Sequence, residues 1–310
     1  MSQRNFDPAS EHCLICGSPL LAEYGARAFD TADKAVVKIR ECGACSFAWQ
    51  YPLGRSPDES REFFENSYNE AEQGINDYFN PVKKRQISDL ELEFAAELPC
   101  TNKTLLDIGA GSGIFAQAAA EAGWAVTAVD PALDCARLLA YPTINAIKGT
   151  IDDIAIDSRF DVVTLWDVIE HAENPVDLIA RAAPFVSENG WLLVETGNFK
   201  SVDRVYGGCE HWIYQLDHRW YFSPESIEKL LHEAGFTDLV FSRRVLRPGW
   251  QGKADYLGPS RISLLKSLLR QPLQIRKHLR LYEELIKAKT WEMPGIGIFA
   301  VAGRRSGKVD

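Results

Sequence analysis

Leu105-Leu106-Asp107-Ile108-Gly109-Ala110-Gly111-Ser112-Gly113 decides how the rest of the chain reads. An apolar run, the signature of a buried strand, leads into an acid and then three glycines at alternate positions. A helical pattern follows at once, from Ile114 to Ala122. Glycine permits a tight turn and lets a ligand approach the backbone. The helix start behind it offers unpaired N–H groups. A dinucleotide fingerprint would place its third glycine where this chain has Ile114. That departure, with Asp107 two residues before the first glycine, separates the turn from a dinucleotide loop.

Downstream the pattern alternates. Ala125–Val129 reads as a second strand ending in Asp130, Ala146–Lys148 as a third, Asp161–Trp166 as a fourth and Trp191–Glu195 as a fifth. Helical spacing fills the gaps at Leu133–Ala140, Val176–Val186 and Ser226–Ala234, the last with Ser223 as N-cap and Pro224 in its first turn. Leu239–Val245 and Ile296–Ala302 read as final strands. The expected fold is α/β: a Rossmann-like, seven-stranded, mostly parallel sheet with helices on both faces.

Upstream, Cys13-Leu14-Ile15-Cys16 and Cys42-Gly43-Ala44-Cys45 form two Cys-x-x-Cys knuckles around a strand at Ala35–Ile39. Four thiolates on two tight turns close a tetrahedral Zn²⁺ site with no open position, so a structural zinc ribbon is expected. The alternative is four unmetallated cysteines. An odd total of seven cysteines suits a reducing cytosol better than a disulfide framework. Between the ribbon and the glycine turn, Arg61–Tyr68 and Pro81–Leu98 read as helices, the second with one apolar face (Ile87, Leu90, Phe94, Leu98). Tyr68, Tyr78 and Phe79 read as core packing ahead of cofactor contact. The expected division is 1–55 zinc ribbon, 56–100 helical linker and cleft cap, and 101–310 catalytic domain with a basic helical insertion at about 250–290.

Net charge is −9, and residues 1–60 hold six Lys/Arg against eight Asp/Glu. Phosphate binding needs clustered positive charge, so nucleic acid is not the expected partner. No signal peptide is expected at Met1–Ser10, and no apolar run approaches the roughly 20 residues of a membrane span. Arg261–Lys289 departs from the acidic background with eight Lys/Arg and two Asp/Glu. It reads as a lid with a solvated basic face. An anionic-substrate clamp, a dimer contact or a membrane-surface helix remain as alternatives.

The acid-glycine turn, followed in register by Asp130 and by Trp166-Asp167-Val168-Ile169-Glu170-His171, resembles class I S-adenosylmethionine-dependent methyltransferases. The resemblance covers about residues 80–245 and the final strand. It implies that Asp107, Gly109, Ala110, Gly111 and Gly113 line the methionine end of S-adenosylmethionine. It places Asp130 on the ribose, Thr150, Ile151 and Asp152 at the adenine, and Trp166 along the cofactor. Asp130 alone also fits a dinucleotide site. Glu210-His211-Trp212-Ile213-Tyr214-Gln215-Leu216-Asp217-His218-Arg219-Trp220-Tyr221-Phe222-Ser223-Pro224 is a second dense patch, and it resembles the His-x-x-Tyr-Phe-Ser-Pro segment that builds the acceptor pocket in small-molecule and sugar methyltransferases. The zinc-ribbon start resembles a bacterial group that includes deoxysugar C-methyltransferases, with the knuckles closer together here.

The expected activity is methyl transfer to a small polar or sugar-like acceptor through oxygen, nitrogen or carbon. His218 is the first choice for a residue facing the acceptor, and His171 the second; either is a general base or a structural histidine. Two other readings are an RNA methyltransferase that grips RNA with its ribbon, and a non-catalytic protein that keeps the fold.

Overall fold

Residues 7–30, 35–72, 80–201, 204, 208–242, 246–247 and 298–305 are described in the computed structural model of this chain. Tyr78, Phe79 and the basic 261–289 stretch lie outside them.

Two sheets organise the chain. The larger has seven strands: β4 (Thr104–Ile108), β5 (Ala125–Asp130), β6 (Ile144–Lys148), β7 (Phe160–Trp166), β8 (Val186–Gly197), β10 (Phe236–Phe241) and β11 (Ile298–Arg305). Their spatial order is β10-β11-β8-β7-β4-β5-β6. Neighbours from β6 to β8 pair in parallel, whereas β11 runs antiparallel to both β8 and β10. This is the expected mostly parallel sheet. Chain order reverses between β4 and β7, and open α/β sheets bind ligands at such a switch point, beyond the carboxyl ends of the strands.

Helices cover both faces because the strands are apolar on both sides. Leu105, Val126, Val162 and Leu193 pack on one side with Leu90, Phe94 and Ala119. Leu106, Val163, Leu192 and Val301 pack on the other with Ile179, Ile227 and Leu230. Those helical residues belong to α2 (Pro81–Ala96), α3 (Ile114–Glu121), α4 (Pro175–Ala182) and α5 (Pro224–Glu233). Ser223 caps α5 by accepting from the Ser226 amide at 3.1 Å. Two helices read from spacing are shorter than expected. Leu133–Ala140 contains only a 3₁₀ turn at Cys135–Leu138, and Val176–Val186 gives α4 and then a 3₁₀ turn at Ala183–Phe185. Pro184 interrupts the second, since proline has no N–H to continue an α ladder.

The smaller sheet is antiparallel, in the order β1 (Leu20–Arg27), β2 (Val36–Cys42), β3 (Ala48–Gln50), β9 (Trp220–Tyr221). Its fourth strand comes from the loop that carries His218, with Ala48 opposite Tyr221 and Trp49 opposite Trp220. Phe47 packs against Trp49, Trp220 and Phe222, with ring centroids 5.7, 6.3 and 5.2 Å away. Cys13, Ile15, Cys42, Cys45 and Phe47 thereby share one apolar core with the large sheet. Helix α1 (Pro57–Glu72) lies between this layer and α2 in sequence.

Candidate active site

A cleft of about 860 Å³ opens at the carboxyl ends of β4, β5 and β7. Its walls include Asp107, Gly109, Ala110, Gly111, Asp130 and Trp166 on one side, and His171, Gln215, Asp217 and His218 on the other.

The first side is built by the glycine turn. Gly109 and Gly111 have φ of +76° and +55°, where a side chain is strained. A Cβ on Gly109 would also lie 2.5 Å from Cγ2 of Val168. Asp130 closes β5 and holds the turn, its two carboxylate oxygens accepting from the amides of Gly111 at 3.0 Å and Ala132 at 2.6 Å. Each oxygen keeps a further lone pair for a hydroxyl. Burial raises the Asp130 carboxyl above its ordinary range.

Asp107 is almost fully buried, and one oxygen accepts from the Thr164 hydroxyl at 2.9 Å. Its other oxygen has no partner among the described residues. Burial pushes this carboxyl up to about 7, against the pull of Thr164. A buried carboxylate with one unsatisfied oxygen at the cleft wall is where a ligand's ammonium group fits, so the residues suit S-adenosylmethionine. Tyr68, on α1, lines the same wall, and its hydroxyl would stand 2.8 Å from a Cβ on Gly111. It faces the cleft rather than serving only as core packing.

On the second side two imidazoles meet edge to face, centroids 4.9 Å apart. Nδ1 of His171 lies 3.0 Å from the carbonyl of Asp217, and Nδ1 of His218 lies 2.8 Å from the carbonyl of Ile213. A carbonyl only accepts, so each Nδ1 carries the proton and each Nε2 of a neutral ring keeps a bare lone pair. Burial drives His218 down to about 4, with His171 adding to the effect, so it is neutral near pH 7. Burial works to raise Asp217, but His171, His218 and Arg55 outweigh it and hold the carboxyl below its usual range. Glu170 is buried, with one carboxylate oxygen unpartnered among the described residues, and burial raises its carboxyl well above the usual range. Its main-chain carbonyl accepts from the amides of Arg219 and Trp220 at 2.9 and 3.3 Å, anchoring the two loops together. Phe29, Phe63, Phe64 and Trp212 make the rest of this side aromatic.

Asp167, at the cleft wall, joins a charged cluster that sequence reasoning missed. Arg247 donates to Glu195 at 2.7 Å and to Asp167 at 3.0 Å, tying β8 to the loop after β7. Burial raises Glu195 to about 7, against Arg247. Asp167 holds φ of +52°, and Lys84 and Glu91 reach the cleft from α2. Arg247 carries no motif, and only the fold brings it to β8.

Four expected cofactor residues do not line the cleft. Gly113, at φ +78°, caps α3 and would place a Cβ 3.0 Å from Leu138. Thr150 is engaged in a capping box with Asp153. Ile151 is buried in the core. Asp152 is paired with Arg181 at the surface. Away from the cleft, the sulfurs of Cys13, Cys16, Cys42 and Cys45 all lie within 4.8 Å of one another. The pairs Cys13–Cys45 and Cys16–Cys42 are each 3.5 Å apart, near the ~3.8 Å edge of a tetrahedral zinc–thiolate site. Among the described residues no helix is long and apolar enough to cross a membrane.

Comparison with known proteins agrees with this geometry. Residues 81–240 match a family model described as a methyltransferase domain. A ubiquinone biosynthesis O-methyltransferase of Thiobacillus denitrificans is 30% identical over 176 residues, covering 52% of this chain and 75% of the relative. Its counterpart in Vibrio atlanticus is 31% identical over 186 residues, covering 53% and 78%. Among solved structures, the Burkholderia thailandensis 1,6-didemethyltoxoflavin N1-methyltransferase, with its substrate and S-adenosylhomocysteine bound, superposes with a TM-score of 0.51. It is 15% identical, and the match covers 91% of this chain and 100% of the other. A Thermotoga maritima S-adenosylmethionine-dependent methyltransferase, described as a possible histamine N-methyltransferase, gives 0.50 at 18% identity over 79% and 99%. These two share the fold. The matched domain, with its acid-glycine turn and its Asp130, makes this chain a member of the methyltransferase-domain family and a class I S-adenosylmethionine-dependent methyltransferase.

Proposed function

We propose that this enzyme methylates oxygen on a small ring-bearing acceptor with adjacent hydroxyls, a catechol or a sugar-like diol. The observation that carries the reading is the paired Nε2 lone pairs of His171 and His218, backed by Asp217 and walled by aromatic side chains. Two neighbouring acceptors of hydrogen bonds suit two neighbouring O–H donors, and an apolar wall suits a ring. The O-methyltransferase names of the relatives support oxygen as the attacked atom. The acidic balance of the ribbon speaks against an RNA acceptor.

S-adenosylmethionine supplies a methyl on a sulfonium, whose S–C electron pair returns to sulfur as the acceptor oxygen takes the carbon. Asp107 would hold the ammonium, Gly109 and Gly111 would give the backbone its approach, and Asp130 would take the ribose hydroxyls. His171 removes the acceptor proton at Nε2 and becomes an imidazolium. Asp217, 3.5 Å from its Nδ1, stabilises that charge. His218, kept neutral by burial, accepts from the second hydroxyl and orients it. In-line placement supplies much of the acceleration. Cys13, Cys16, Cys42 and Cys45 would hold a structural Zn²⁺, which would keep the ribbon closed.

The test is transfer of labelled methyl from S-adenosylmethionine to a panel of catechols, vicinal diols, primary amines and short RNAs. Label in an ether of a catechol or diol is expected. Label confined to amines or RNA overturns the reading.

A further inference from the structure

The turn that carries Asp217 and His218 is held from outside its own loop. Gln50, the last residue of β3, is fully buried. Its side-chain nitrogen lies 2.5 Å from the carbonyl of Gln215, 2.6 Å from the carbonyl of His218 and 2.9 Å from the Tyr221 hydroxyl. Two of these groups only accept, which fixes the amide with its NH₂ toward them. The Gln50 main-chain amide also donates to the carbonyl of Arg219 at 3.0 Å. Asp30, between β1 and β2, accepts from the Leu216 amide at 3.0 Å. The carbonyls that Gln50 joins stand at the two ends of one turn, closed by the His218 amide donating to Gln215 at 3.2 Å. Ile213, whose carbonyl fixes the His218 ring, enters the same loop.

We propose that Gln50 is a positioning residue for methyl transfer: its amide clamps the Gln215–His218 turn so that Asp217 stands behind His171 and His218 presents Nε2 to the acceptor. The proposal rests on the acceptor-side reading of the two histidines given above. The buried side-chain amide joins both ends of the turn to the ribbon sheet at a single point. Removing it leaves the His218 carbonyl desolvated and unpaired and the Gln215 carbonyl with only the turn bond from the His218 amide, and the turn relaxes to satisfy them.

The experiment is nitrogen NMR of the histidine rings in the full chain with S-adenosylhomocysteine bound, comparing wild type with Gln50→Met and Gln50→Asn. In wild type His218 is expected as the Nδ1–H tautomer, titrating far below ordinary histidine. In Gln50→Met the tautomer preference is lost, and its titration moves up toward about 6.5. Calorimetry finds S-adenosylhomocysteine affinity unchanged, which shows that the cofactor side still folds. Gln50→Asn keeps the donor but is too short to reach both carbonyls, so it shifts His218 the same way by less. It gives the same readout if the methionine variant does not fold. A His218 signal that titrates as in wild type in the folded variants overturns the proposal. Full methyl transfer by His218→Gln instead removes the acceptor-side reading and leaves the NMR result standing, so the two failures are distinguishable.

Discussion

Asp217 stands behind His171, its carboxylate oxygen 3.5 Å from Nδ1 and its own carbonyl closer still at 3.0 Å. The adjacent His218 has the main-chain carbonyl of Ile213 at its Nδ1, 2.8 Å away. Two imidazoles in ring contact are therefore equipped differently, one to carry a proton and one to stay neutral.

Replacing His171 by Gln is expected to slow turnover by roughly 10²–10⁴-fold, the usual contribution of a positioned base. His218→Gln should cost less in turnover and more in acceptor KM. Both should leave S-adenosylhomocysteine affinity nearly intact. Steady-state kinetics beside calorimetry check this, and equal losses in both variants would contradict the division of roles.

Asp130→Ala is expected to weaken cofactor binding by about 1–3 kcal/mol, the loss for hydrogen bonds to a charged group. It also strips the amides of Gly111 and Ala132 of their acceptor, so the loss should lie at the upper end. Unchanged affinity by calorimetry would remove Asp130 from the ribose.

Asp107 sets a pH dependence. Its folded-state carboxyl is raised to about 7, from an ordinary value near 4. Between those values the folded chain binds more protons than the unfolded one, so its contribution lowers unliganded stability as pH rises, and the penalty stays in full above about 7. Asp107→Asn removes the penalty: its Tm advantage over wild type should grow from pH 4 to pH 7 and then level. Binding of the ammonium needs the ionised form, so S-adenosylhomocysteine affinity should rise through about pH 7 in wild type and lose that rise in the variant. A wild-type affinity flat across this range contradicts the assignment.

Protein purified without added zinc should carry about one ion per chain, as four thiolates close one site. Stripping it should lower Tm, because Cys13, Cys42 and Cys45 share the core of the large sheet. A Cys13–Cys16 disulfide in reducing buffer, with no metal, overturns this.

What could be read from sequence was what depends on near neighbours. The strand before Asp107, the Ser223-Pro224 start of α5 and the two knuckles are local patterns, and each is in place. Asp107 and Asp130 fall at the carboxyl ends of their strands and both histidines in loops beyond that edge, which topology brings to one cleft. Partners far along the chain were not legible. Thr150 and Asp152 have the right polarity for a ligand, yet one is taken by a capping box and the other by Arg181. Gln50 and Arg247 have ordinary neighbours in sequence, and their importance arises from Gln215 and Glu195. β9 is two residues long, too short for any periodicity to announce it.

The pairing of β3 with β9 also orders events on the ribosome. The knuckles and the β1–β2 hairpin emerge early and have local contacts enough to close. Strand β3 must then wait, with an unpaired edge and with Phe47 and Trp49 uncovered, until Trp220 and Tyr221 leave the exit tunnel. An exposed edge beside aromatic side chains is a template for pairing with another chain. A nascent chain that ends between the ribbon and β9 is thus expected to expose that edge. Release experiments on chains truncated before and after Tyr221 should show aggregation falling away as that strand becomes available.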